Sequence, residues 1–221
     1  LEENATISAY SLLSINIGEV KSSTYKGKET ASGIVKSAIS HAVELAELGL
    51  AGDEQADLVN HGGTDKAVCA YNADHYPHWE NILSRKLPHG TFGENFTVKG
   101  MSERDVHIGD VFQVGTALVQ VSQPRQPCWK LAMRWGLDEL PLLVTESGAT
   151  GFYLRVLENG MVSNGDELKL MQTHPARITV EEANRLMHKD KEDAEGIRRL
   201  LAVKELSASW VNMFTKRLAR L

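Results

Sequence analysis

The residues with the clearest chemical potential lie in Gln123-Pro124-Arg125-Gln126-Pro127-Cys128-Trp129-Lys130. Two prolines fix backbone φ on either side of Arg125 and stiffen the loop. It follows a strand-like run, so Cys128 is presented at a strand end between Arg125 and Lys130. Flanking cations favour the thiolate form of a cysteine, and a thiolate is a soft ligand for a soft metal centre or for sulfur chemistry. The competing reading, a small buried apolar side chain, stays open at this point.

A second constellation is His61-Gly62-Gly63-Thr64-Asp65-Lys66. Paired glycines let successive N–H groups face one concavity, a natural anion nest. Lys66 would add a point charge, and His61 could orient or protonate a ligand. A plain turn with a surface lysine is the alternative. The preceding Gly49-Leu50-Ala51-Gly52-Asp53-Glu54-Gln55 is similar and also glycine-punctuated, with solvated carboxylates as the plain alternative. In Phe92-Gly93-Glu94-Asn95-Phe96, a glycine within a strand-like run suggests a bulge. Glu94 and Asn95 there could read the donor and acceptor edges of a heterocycle, or brace the bulge. Cys69 alternates with Ala67 and Tyr71 and reads as core. His75 and His78 lack a third partner for zinc.

Elements must hold these groups in place. Runs 111–114 and 117–122 flank Gly115-Thr116 and predict a tight hairpin. Further strands are expected over 11–20, 67–71, 96–98, 152–157 and 167–171. Many short strands separated by turns argue for a barrel or curled sheet. Asp74 is expected to cap a helix through Trp79 and Leu83, with Pro77 in its first turn. Residues 128–134 suggest another short helix, and 41–50 is ambiguous: its residue types favour helix, but its length and neighbours allow a strand. After Thr173-His174-Pro175 the pattern turns helical. Thr179 and Glu182 form a capping box, a second helix carries Ile197, Leu200 and Leu201, and a third places Trp210, Met213, Phe214, Leu218 and Leu221 on one stripe.

Composition bounds the rest. The 221 residues are 42% hydrophobic and 24% charged, as in ordinary globular proteins. No apolar run approaches a membrane span of about 20 residues. Residues 1–10 carry Glu2 and Glu3 without a basic start and do not read as a signal peptide. The net charge of −5 argues against nucleic acid as a partner, although from Pro175 onward ten Lys and Arg face seven Asp and Glu. Two cysteines form no disulfide framework, which favours the cytoplasm. They also fall short of the roughly four thiolates of an iron–sulfur cluster.

Taken in order, Gly49-Leu50-x-Gly52-Asp53-Glu54-Gln55, His61-Gly62-Gly63, Phe92-Gly93-Glu94-Asn95 and Pro124-Arg125-x-Pro127-Cys128 resemble the MOSC domain family, in its YiiM-type branch. The resemblance covers nearly the whole chain. It implies a mainly β fold with α: a β-barrel-like body over 1–172 and a small C-terminal three-helix unit over 173–221. It also implies a strand rather than a helix within 41–50. The implied cofactor is molybdenum–molybdopterin, with Cys128 as metal ligand and no pyridoxal phosphate. The implied activity is reduction of N-hydroxylated compounds, such as hydroxylaminopurines, with electrons from a separate flavin-containing reductase. Beside this likeness, Gly62, Gly63, Lys66, Glu94, Asn95, Arg125 and Lys130 are the expected cofactor contacts, and His61 is the candidate proton donor. A cofactor carrier or a sulfur-transfer protein remains the alternative.

Overall fold

The computed structural model describes residues 10–57 and 61–221. In chain order its elements are β1 (Tyr10–Ile17), β2 (Lys21–Tyr25), β3 (Lys28–Ser32), β4 (Ser37–Ile39), β5 (Val43–Ala46), β6 (Gly49–Leu50), β7 (Val68–Asn72), α1 (Tyr76–Leu83), β8 (Phe96–Lys99), β9 (Val111–Val114) and β10 (Ala117–Pro124). They continue with α2 (Trp129–Trp135), α3 (Leu140–Ser147), β11 (Phe152–Glu158), β12 (Gly160–Val162), β13 (Glu167–Gln172), α4 (Val180–His188), α5 (Ala194–Leu201) and α6 (Ala208–Leu218).

The main sheet runs β13-β9-β10-β11-β7-β8-β1, and β13 also pairs with β1, so these strands close into a barrel with β4 added outside on β1. Closure removes the edges that an open sheet would expose. Neighbours are antiparallel except β7 and β8. The expected hairpin is β9–β10, with Ala117 opposite Val114. Its turn glycine, Gly115, has φ +54°, and a Cβ there would collide with the Met161 carbonyl. Glycine meets both demands.

Period-two alternation sorts the side chains. Val68, Ala70, Phe152 and Leu154 point inward and are fully buried in the barrel core, together with Val119 and Val121. Tyr71 faces outward into a second apolar cluster with Trp79, Phe92, Leu131, Leu140 and Val144. That cluster covers one outer wall of the barrel.

The helical tail is not an independent ball. Leu186, Ile197, Leu200, Trp210 and Phe214 belong to the same continuous core as the barrel. Each helix has a side-chain cap: Thr179 Oγ1 accepts from Glu182 N at 3.0 Å, Asp193 accepts from Gly196 N, and Ser207 from Trp210 N. Such caps satisfy donors that helix starts leave unpaired.

Several local expectations are corrected. The turn into α1 is capped by Asn72, whose Oδ1 accepts from Asp74 N at 3.2 Å, whereas the Asp74 carboxylate accepts from Gly100 N. Residues 41–50, open between helix and strand in the sequence, form β5 and β6 despite their helical residue types. Pairing of Val43 and Leu45 with β12, and burial of both side chains, outweigh a propensity of a few tenths of a kcal/mol per residue. The α6 stripe is narrower than its spacing implies: Met213 and Leu221 remain exposed. Helix α3 and the β2–β3 hairpin were not anticipated.

Candidate functional site

A cleft, partly open to solvent, lies on the outer wall of the barrel. Its wall is formed by outward residues of β7 and β11, Cys69 and Tyr153, which face each other in register. The Cys128 loop, the His61–Lys66 segment, and the chain after β3 complete it.

The cysteine loop is tied down before it reaches Cys128. Strand β10 pairs with β11 as far as Pro124 opposite Phe152, and Arg125 N then donates to Gly151 O at 3.0 Å. Cys128 follows in extended conformation, directly before α2, with its side chain partly exposed. The proline-stiffened loop thus presents the thiol at a fixed point of the cleft wall.

Arg125 is 5% exposed. One guanidinium nitrogen, Nη2, donates to Phe92 O at 2.6 Å. The other, Nη1, is buried without a hydrogen-bond partner. An unmatched buried guanidinium donor is costly, and Arg125 is among the residues that line the cleft. Lys130, 9% exposed, and Lys66 line it as well. Burial lowers the Lys66 pKa, with Asp65 and Asp57 opposing.

His61 also lines the cleft. Its Nδ1 lies 3.4 Å from Asp57 Oδ2. Burial, assisted by Lys130, holds its pKa below the ordinary histidine value despite Asp57, so the neutral imidazole is favoured near neutral pH. Gly63, with φ +91°, opens the single 3₁₀ turn that carries Lys66. Neither Gly62 nor Gly63 is among the cleft-lining residues. They shape the turn from outside.

The two polar residues of the Phe92–Phe96 segment part company. Glu94 is fully buried and does not line the cleft. Its carboxylate accepts from the Tyr76 hydroxyl, from Gly90 N and Phe92 N at 2.9 Å each, and from Thr97 Oγ1. It is a brace for the turn. Asn95 does line the cleft, yet its Oδ1 accepts from Cys69 N at 3.1 Å and its Nδ2 donates to Asp53 Oδ2 at 2.8 Å.

Lys36 and Tyr153 are lining side chains that the sequence did not point to, and Asp53 has a role there that its motif did not reveal. Asp53 is not solvated. Its side chain is 2% exposed and accepts from Gly18 N, Gln55 Nε2, Asn95 Nδ2 and the paired Lys36 ammonium. Gly52, with φ +84°, was the available hint that this turn is built rather than loose. Lys36 and Tyr153 carried no local signal. Cys69, expected as core, is 5% exposed but borders the cleft. Burial pushes its pKa up to about 11, against the pull of Arg125, so it remains a thiol.

Among the described residues, no three His, Cys, Asp or Glu side chains assemble as a cage for a bare metal ion. No helix among them is long and apolar enough to cross a membrane.

The family model described as MOSC domain matches residues 57–169, and that described as YiiM-like, 3-alpha helix domain matches residues 178–221. The chain is 50% identical over 212 residues to the uncharacterized protein YflK of Bacillus subtilis, covering 96% of each. It is 37% identical to a protein named reductase from Gibberella moniliformis, over 73% of this chain and 29% of that one. The crystal structure of YiiM from Geobacillus stearothermophilus superposes with a TM-score of 0.82 at 36% identity, covering 95% of this chain and 99% of that one. Four ordered motifs, a closed barrel with the cysteine loop on its outer wall, and these matches together establish that the chain belongs to the MOSC domain family, in its YiiM-like form with a three-helix domain after the barrel.

Proposed function

We propose that this chain is an oxidoreductase that holds the molybdenum–molybdopterin cofactor in the outer-wall cleft and reduces N-hydroxylated small molecules, such as hydroxylaminopurine-like bases, to amines. The observation that carries the reading is Arg125: a buried guanidinium with Nη1 unpartnered, in the same cleft as an accessible cysteine. An anionic ligand would satisfy that donor, and a thiophilic metal would take the thiolate. The residues present therefore fit a ligand that carries both a phosphate and a soft metal. The reductase-named relative agrees with this class of chemistry.

In this reading Cys128 is the protein ligand to molybdenum. Arg125, Lys66 and Lys130 bind the anionic part, with Gly62 and Gly63 holding Lys66 in its turn. Asn95 keeps the floor in place through Cys69 N and Asp53, and Glu94 stiffens the segment behind it. The bound cofactor supplies the two-electron redox couple. Converting a hydroxylamine to an amine and water also consumes two protons. His61 is the proposed carrier: its lowered pKa makes the imidazolium a ready donor, with the Asp57 carboxylate 3.4 Å from Nδ1. Electrons come from a separate flavin-containing reductase, and the chain acts in the cytoplasm.

The test uses protein made in a cofactor-competent host. Molybdenum analysis and pterin fluorescence should show near-stoichiometric loading, and an artificial electron donor should drive turnover of hydroxylamines. Cys128→Ala should lose molybdenum and turnover together. A Cys128→Ala protein that retains both would overturn the reading.

A further inference from the structure

Tyr153 stands in the cleft wall. Its neighbours in β11, Phe152 and Leu154, are fully buried in the barrel core. Alternation therefore turns Tyr153 outward, where it lines the cleft with Arg125 and Cys128. Register fixes it laterally: Cys69 lies opposite on β7 and Gln123 opposite on β10. Its backbone carbonyl accepts from Ser122 Oγ at 3.2 Å. Among the described residues its hydroxyl makes no hydrogen bond, whereas Asn95 and Asp53 in the same cleft are tied to their neighbours.

We propose that the Tyr153 hydroxyl is the fixed hydrogen-bond donor to the substrate oxygen that leaves as water. The assignment rests on the reductase reading. As the N–O bond breaks, negative charge gathers on that oxygen, and a preorganised neutral donor stabilises it without attracting the anionic cofactor groups that the cations serve. Burial raises the phenol pKa, and Cys69 and Cys128 act in the same direction against Arg125. The group thus remains an intact O–H donor at working pH. Its proton stays on the phenol; the two protons consumed come by way of His61 and solvent. A strand-borne donor with both flanking residues locked in the core is held more rigidly than one on a loop.

Tyr153→Phe removes the hydroxyl and little else. In protein loaded in a cofactor-competent host, molybdenum content and the thermal midpoint should match wild type. The kcat should fall on the order of 100-fold, as for loss of one donor to a developing oxyanion, with KM little changed. A second readout needs no turnover. A hydroxamic acid, added as an oxygen ligand to loaded wild type, should perturb the tyrosine ultraviolet spectrum, and Tyr153→Phe should abolish the perturbation. An unchanged kcat in the variant, or a wild-type spectrum without tyrosine perturbation, overturns the assignment while leaving the reductase reading intact. Wild-type protein that takes up no molybdenum and turns over no hydroxylamine overturns the reductase reading instead.

Discussion

At the scale of single residues, the cleft and the turn behind it join groups whose polar capacity is spent within the chain to groups whose capacity is not. Glu94 belongs to the first kind, with four donors on one buried carboxylate. Glu94→Gln turns one acceptor into a donor facing donors and should cost about 3 kcal/mol of stability, read as a lower midpoint in urea unfolding. Arg125 belongs to the second kind. Arg125→Met gives up the bond to Phe92 O, worth about 1 kcal/mol, but relieves an unmatched buried charge. Stability of the cofactor-free protein should change by less than about 1 kcal/mol, while cofactor content falls at least tenfold by molybdenum analysis. His61 and His188 carry the pH dependence. Burial leads in lowering both, joined by Lys130 at His61 and by Lys191 and Arg217 at His188. The unfolded chain therefore binds more protons than the folded one, and stability should drop as pH falls through the unfolded value of about 6.5. The double variant His61→Gln/His188→Gln should flatten the stability profile between neutral pH and the onset of carboxylate titration, as followed by thermal melts.

At the scale of elements, the β2–β3 hairpin forms its own two-stranded sheet, and most of its side chains are exposed on both faces. An isolated hairpin is marginal in water, so its order depends on contacts at its tip. Tyr25 stacks on Trp129 at 5.7 Å, and Tyr25 and Lys26 both reach Asp138. The ion pair is exposed and contributes little, which leaves the aromatic stack as the main fastening. Trp129→Ala should therefore raise amide hydrogen exchange across residues 21–32 by roughly 5–10-fold, the equivalent of an aromatic pair worth about 1 kcal/mol, while barrel strands keep their protection. Protection unchanged in the hairpin would mean that its base, where Ser32, Gly33 and Ile34 border the cleft, holds it unaided. This element was illegible in the sequence because polar, alternating residues such as Lys21 to Tyr25 lack the apolar face by which strands are recognised. Helix α2, by contrast, was legible from its own residues, as were the capped α4 and the apolar stripe of α6.

At the scale of the whole molecule, barrel and tail form one cooperative unit. Trp210 is fully buried in the core that also contains Val119 and Phe112, and Ser207 N donates to Ser122 O of β10. Trp210→Ala should cost about 3–5 kcal/mol and lower the unfolding midpoint in a single transition, with near-ultraviolet circular dichroism and fluorescence from the barrel tryptophans changing together. Two separated transitions would show that the tail melts by itself. What the sequence determined alone was local: the β9–β10 turn, the Thr179 cap, the proline-stiffened Cys128 loop and the order of four motifs, each specified by residues a few positions apart. The tertiary structure decided what depends on distant partners. Closure of β13 on β1 made a barrel, alternation across β7 and β11 put the cleft on its outer wall, and packing buried Asp53, engaged Glu94 and left Arg125 Nη1 unmatched. Backbone conformation and capping are set by adjacent side chains, but burial and hydrogen-bond satisfaction are sums over neighbours that only the folded chain brings together.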